Sequence, residues 1–272
     1  MRNILSVMAV LLPVVSAFCD HGTTLFPRAS GDPVKVAQYG FDGIRGPLNW
    51  HGLNKTANYK CAKGREQSPI DISTSSNKTV RGSSLNFNID SYPDGAELLN
   101  LGSTLEVVAN GSISLANKTF NLAQFHFHTP SEHHLDGEYY PAEMHCVFQA
   151  QDKSISVVGF FIELDENNNE VIDGVFEHVD AVATPGTAGY TGALDFRGLQ
   201  KHLSNSDIYQ YKGSLTTPPC TEGIRWNVVR KPITIDMKTF KKIKSIMKFN
   251  ARYVQNVPGQ INLLENAAEN LE

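Results

Sequence analysis

Gln124-Phe125-His126-Phe127-His128 and, a little further on, Ala142-Glu143-Met144-His145-Cys146 decide how this 272-residue chain is read. In an extended strand successive side chains point to opposite faces, so His126 and His128 share one face while Phe125 and Phe127 take the other. The second stretch repeats the pattern, with Glu143 and His145 opposite Met144 and Cys146. Only 16 residues separate His128 from His145, so a neighbouring antiparallel strand could bring a third imidazole to the first two. An isolated His-x-His is usually a polar pair on a half-wet face. Here the histidines lie among aromatics, and a buried imidazole needs a partner for each ring nitrogen. A metal on one nitrogen and an acceptor on the other provide both, and Gln124 and Glu143, each two residues before a histidine and on its face, suit the acceptor role. Three neutral nitrogens without a fourth protein ligand describe a catalytic zinc centre with one position open to water.

Around these stretches the chain reads as one sheet-dominated domain. Strand character appears over 84–89, 104–108, 112–115, 119–128, 143–149, 155–163 and 224–229. Helical spacing is scarcer, over 167–177, 196–203 and 236–249; in the last, Phe240, Ile243 and Met247 line one face and Asp236 is a candidate cap. No repeat or low-complexity linker divides the chain. A net charge of -4 and the lack of any basic run beyond Lys241, Lys242 and Lys244 exclude an electrostatic nucleic-acid binder.

Residues 1–17 read as a signal peptide, with Arg2, an apolar stretch from Ile4 to Val15 and the small-residue site Val15-Ser16-Ala17. Residues 18–36 read as an N-terminal arm, 37–262 as the domain and 263–272 as an acidic tail. No second apolar stretch offers a membrane anchor. Secretion is thus expected, and glycosylation sequons at Asn54, Asn77, Asn110 and Asn117 agree with that route. Four cysteines allow three pairings if all are retained. Cys146, facing away from the histidines, reads as a buried apolar residue. Cys61 and Cys220, each in a loop-like context with Gly or Pro nearby, form the expected disulfide.

Two more segments add to the histidines: Gln67-Ser68-Pro69-Ile70-Asp71-Ile72 and Ser214-Leu215-Thr216-Thr217-Pro218-Pro219. With Ser131-Glu132-His133-His134 they closely resemble the α-class carbonic anhydrases, in matching order from about Tyr39 to Gln260. The resemblance implies a mainly β (α+β) fold, a single domain with a large twisted, mostly antiparallel central sheet and a few peripheral helices. It implies Zn2+ held by His126, His128 and His145, with water or hydroxide in the fourth position. Acidification of that water to near neutral pH has carbonic anhydrase as its standard example. Attack on carbon dioxide then gives bicarbonate, with a weak esterase activity on the side. Thr216 and Glu132 match the gating pair: a threonine hydroxyl that donates its one proton to Glu132 can only accept from the attacking oxygen. Thr217 matches a bicarbonate contact, Val147, Val157, Leu215, Ile224 and Trp226 the apolar wall for carbon dioxide, and His133 a structural histidine. Sulfonamide and anion inhibitors are implied as ligands, and the assembly as a monomer or homodimer.

The departures from the family pattern concern proton release. The proton-shuttle histidine of fast members is replaced by Ser103, which cannot titrate near pH 7. A water-ordering tyrosine aligns with Phe41, and Leu101 and Glu106 stand where amides are common. Glu106, read as an exposed carboxylate, is a poor substitute for the shuttle. A slower, buffer-dependent enzyme is the expectation. Two rivals are weaker. His126-x-His128 with Glu132 also fits the first half of a cupin iron or manganese motif, but the second half is missing. A noncatalytic binding domain is disfavoured because all three histidines are present.

Overall fold

Alternation in the two histidine segments becomes a cross-strand register. In the computed structural model, which describes residues 32–271, the strands Lys118–His128 and Ala142–Gln149 lie antiparallel with His126 opposite His145 and His128 opposite Glu143. The sheet runs through Ala188–Tyr190, Glu97–Asn100, Leu105–Val108, Lys118–His128, Ala142–Gln149, Ile155–Leu164, Glu222–Ile235, Asp207–Ser214 and Thr79–Arg81. Gly111–Leu115 pairs with the first residues of Lys118–His128 and carries Asn88–Ile89 on its other side. The pairings in this sheet are antiparallel except that of Ile155–Leu164 with Glu222–Ile235. The architecture is therefore the mainly β, single-domain one expected.

The two faces of the sheet have different jobs. Phe125, Phe127, Met144, Cys146, Phe148, Val158, Phe160 and Ile162 form a dry core under the helices Glu170–Glu177, Arg197–Ser204 and Met237–Met247. Phe127 meets Phe176 edge-on with ring centres 5.1 Å apart, and Phe125 meets Phe196 at 5.7 Å. Burying a ring of this kind contributes about 1.5 to 3 kcal/mol. The opposite face carries the histidines and a smaller apolar cluster with Val147, Val157, Leu215, Ile224 and Trp226. Cys146 is a free, buried thiol in the first core, so it lies across the sheet from the histidines.

Helix boundaries follow their caps. The Asn169 side chain accepts from Val171 N and Ile172 N, and the Asp236 side chain from Thr239 N. The sequence reading errs elsewhere, for physical reasons. Over 84–89 only Asn88–Ile89 is a strand, because Gly82–Leu85 closes a 3-10 turn. The strand read over 224–229 extends over Glu222–Ile235. Pro232 lies in it where the register slips between Phe160 and Ile162, an irregularity that tolerates its missing N–H. Glu97–Asn100 was not anticipated, since leucines in an unalternating run carry no period. Neither was Asp207–Ser214, whose exposed positions hold polar residues on the penultimate strand. The stretch read as an acidic tail contains a helix, Leu263–Glu269, capped by Asn262. Asn262 Nδ2 also donates to the Gly64 carbonyl, and Glu265 pairs with Lys63 and Arg65. The proposed signal peptide and Cys19 lie outside the described residues.

Cys61 and Cys220 form a disulfide across 159 residues. It joins the Tyr59–Lys63 helix to the turn that follows Thr217, whose carbonyl accepts from Cys220 N at 2.8 Å. Closing so long a loop constrains the unfolded chain, so Cys61→Ser combined with Cys220→Ser should lower the unfolding free energy by about 2 to 5 kcal/mol. Urea unfolding reads this as a lower midpoint, and an unchanged midpoint would mean that the bridge adds no stability.

Candidate metal centre and active site

The strand register brings His126, His128 and His145 together, and all three are buried. One ring nitrogen of each lies within 4.8 Å of those of the other two. The remaining nitrogens are each occupied. His126 Nδ1 is 2.9 Å from Gln124 Oε1, and His128 Nδ1 is 2.8 Å from the Asn250 carbonyl. His145 is turned the other way, with Nε2 2.8 Å from Glu143 Oε1. Two Nε2 atoms and one Nδ1 atom thus converge. His128 Nε2 is a buried nitrogen without a hydrogen bond, which is the state a metal ligand would have.

Burial lowers the pKa of all three imidazoles. His126 falls well below the ordinary value, through burial and then its neighbours His128 and His145. His128 is lowered to about 4 by burial, against the pull of the Asn250 carbonyl. His145 is lowered by burial, partly offset by Glu143. Neutral imidazoles are the form that binds a metal, so the donor set fits zinc.

Glu143 organises the surroundings. Its Oε2 accepts from Glu132 N at 2.8 Å and His133 N at 2.9 Å, while Oε1 lies 2.7 Å from His133 Nδ1 as well as against His145. Burial would raise this carboxyl, but His133 and His145 hold it well below the usual range. Its contacts to the two rings are hydrogen bonds of a charged acceptor, so His133, Glu143 and His145 form a support rather than a second metal site. Gly159 lies opposite His145, and a Cβ there would come within 3.1 Å of Glu143 Oε1. The far nitrogen of His133 meets the Tyr211 hydroxyl at 2.7 Å, and that hydroxyl reaches Ser68 Oγ.

Glu132 is fully buried, with Oε2 3.4 Å from His128 Nε2 and Oε1 accepting from Arg252 N. Burial pushes its pKa up to about 7, with His145, the Thr216 hydroxyl and the Arg252 amide acting in the opposite direction. A cation among the imidazoles would favour its charged form further. Thr216 and Thr217 are buried in a loop held from several sides. Ser68 N donates to Ser214 Oγ, Ser214 N to Ser68 Oγ, Trp226 Nε1 to the Ser214 carbonyl and Gln67 Nε2 to the Cys220 carbonyl. Val147, Val157, Leu215, Ile224 and Trp226 form one buried cluster on the same side of the sheet.

Ser103 is buried in the turn between Glu97–Asn100 and Leu105–Val108. Glu106 is fully buried and pairs across the sheet with His126, which corrects its reading as an exposed carboxylate. The strand alternation of Leu105–Val108 already put Glu106 on the histidine face, and that signal was there to be used. Asn250 and Arg252 were missed altogether. They arrive from more than 100 residues away on irregular backbone, and no local pattern marks them.

Fold and site define a class, the sheet-built proteins in which three buried imidazoles can bind one metal ion beside an apolar wall. The model of the eukaryotic-type carbonic anhydrases matches residues 45–261. A carbonic anhydrase from Pectobacterium atrosepticum is 32% identical over 246 residues, covering 87% of this chain and 93% of that protein. Among solved structures, the α carbonic anhydrase of Aspergillus oryzae is 46% identical with a TM-score of 0.82, over 85% of this chain and 98% of that one. That of Thermovibrio ammonificans, in complex with the inhibitor sulfanilamide, is 33% identical with a TM-score of 0.72, over 83% and 98%. The chain belongs to the eukaryotic-type carbonic anhydrase family and is a carbonic anhydrase, an enzyme of carbon dioxide hydration.

The depressed histidines set a pH dependence for the metal-free protein. Each folded pKa lies below the unfolded value, so below about pH 6.5 these three rings bind more protons in the unfolded chain than in the native one. Three such rings outweigh the single buried Glu132, whose raised pKa acts the other way. Stability therefore falls as pH drops from about 6.5 towards the His128 value of about 4. Denaturant unfolding of chelator-treated protein across this range should show the decline. A flat profile would mean that the three rings are not buried as neutral imidazoles.

Proposed function

We propose that His126, His128 and His145 bind zinc and that hydration of carbon dioxide takes place at this centre, with proton release as the slow stage. The convergence of three ring nitrogens, each with its other nitrogen anchored, is the observation that supports the assignment. Bound zinc supplies Lewis-acid activation of water near neutral pH. The chain supplies orientation. Gln124, the Asn250 carbonyl and Glu143 hold the imidazoles; His133 braces Glu143 from the other side. Thr216 donates its only hydroxyl proton to Glu132 and so accepts from the attacking oxygen, turning that oxygen's lone pair toward the carbon. Val147, Val157, Leu215, Ile224 and Trp226 receive carbon dioxide, which has no hydrogen to donate and is suited to an apolar wall. Thr217 contacts bicarbonate. A sulfonamide would occupy the same centre, a reading supported by the sulfanilamide complex of the relative.

Ser103 cannot take a proton near pH 7, so release depends on external base. Stopped-flow hydration at rising imidazole concentration, with metal content measured on the same samples, tests the whole reading. Wild-type protein should hold one zinc and speed up with buffer, and Ser103→His should raise kcat at low buffer. His126→Ala should lose both zinc and activity. Thr216→Ala should keep zinc but lose about 10²-fold in kcat/KM, the scale of one oriented hydrogen bond in a reacting site. Iron or manganese in place of zinc would overturn the metal assignment, and a rate insensitive to buffer would overturn the slow-release reading.

We also infer export as a glycoprotein. Asn54, Asn110 and Asn117 are exposed, whereas the Asn77 amide is half-buried and donates to the Ser73 carbonyl. The disulfide is compatible with that route, and no helix among the described residues is long and apolar enough to cross a membrane. Mass spectrometry of chain recovered from the medium, before and after glycosidase, should show a shortened N-terminus and glycan at the exposed sites. An intact residue 1 in the medium would refute the signal reading.

A further inference from the structure

Glu106 has no part in the metal centre, the gating pair or the apolar wall, yet the sheet sets it among them. It stands directly opposite His126 where Leu105–Val108 pairs antiparallel with Lys118–His128. Residues placed in this way share a face, with their Cβ atoms about 5 Å apart. Leu105 and Val107, its neighbours in the strand, belong to the dry core on the other side of the sheet, which fixes the side that Glu106 takes. The residue is fully buried. Burying a carboxylate is costly in itself, so an acid at this position is a poor choice for packing alone.

Two other carboxyls on this face belong to the frame of the site. Glu143 takes its contacts from backbone amides and imidazoles, and Glu132 accepts from Arg252 N. Glu106 is the departure, since it stands where relatives commonly have an amide. An amide is neutral and can donate; a carboxylate carries a full charge and can only accept. A dication among the imidazoles favours that charged form. The buried guanidinium of Arg252 is directed elsewhere, to the Ser68 and Cys61 carbonyls and over the Trp50 ring.

We propose that Glu106 is a specificity-determining residue that separates neutral from anionic ligands: its charge weakens the binding of bicarbonate and of small inorganic anions at the histidine centre and leaves that of carbon dioxide unaffected. This inference rests on the zinc-hydratase reading above and concerns which ligands that centre retains. Carbon dioxide has no net charge, so a nearby carboxylate does not oppose its entry. Bicarbonate carries one negative charge and meets a like charge as soon as it forms. For unit charges about 10 Å apart at an effective dielectric of about 20, the repulsion weakens binding about tenfold. Gln124 acts in the opposite sense, because its Nε2 is a buried donor without a hydrogen bond, but a dipole is outweighed by a full charge. The site therefore lets its product go readily and resists inhibition by simple anions.

Glu106→Gln removes the charge and keeps the shape. Protein loaded with Co2+ in place of zinc reports the binding directly, since the visible absorption of four-coordinate cobalt changes when an anion joins the metal. Thiocyanate is the probe, because it binds without reacting. Its dissociation constant is expected to be about tenfold lower in Glu106→Gln than in the wild type. In Glu106→Asp, which keeps the charge, the constant should stay near the wild-type value, with equal cobalt content in all three proteins. An unchanged or higher constant in Glu106→Gln, or equal tightening in the Gln and Asp variants, would overturn the proposal. Should Glu106→Gln fail to fold, Glu106→Asn supplies the same neutral site and is read in the same way. A wild-type cobalt spectrum that His126→Ala leaves unchanged would instead refute the metal assignment on which the inference rests.

Discussion

The Glu143 carboxylate is the interaction on which the rest of this site depends. Two oxygens take four contacts, two from consecutive backbone amides and two from imidazoles. The amides belong to Glu132 and His133, so the same group that turns His145 also sets the backbone that carries Glu132. A carboxylate buried this deeply carries a large desolvation cost, which is offset only when its acceptor sites are filled. Gly159 leaves room for it, and Tyr211 and Ser68 hold its partner His133 from behind. Removing Glu143 would therefore disturb the His145 ring and the Glu132–His133 loop together.

Much of this was legible in the sequence because strand alternation is a strict code. A period of two divides Lys118–His128 and Ala142–Gln149 into a histidine face and an apolar face, and short separation in the chain supplies the pairing. Cys61 and Cys220 could be paired from their surroundings. The candidate cap Asp236 marked the start of its helix to within a residue. What escaped were contacts that no period encodes: the Asn250 carbonyl on His128 and the Arg252 amide on Glu132. A main-chain carbonyl has no sequence signature, since every residue has one. Glu106 shows the reverse error, in which charge was taken as evidence of exposure although its strand position placed it inside.

Asn250 ties the histidine face to a distant part of the chain. The three imidazoles lie within twenty residues of one another, while the carbonyl that holds His128 comes from residue 250. In the folded protein the Asn250 carbonyl is what occupies Nδ1 of His128 and so sets its tautomer. Asn250 also fastens Thr129 N through its side-chain oxygen and reaches the Ser103 and Phe127 carbonyls through its amide. The last quarter of the chain thus fastens the strand end that bears His128. The ring of His128 takes its orientation from backbone more than 120 residues away in sequence, and a variant that loosens residue 250 would loosen that ring without touching any of the three histidines.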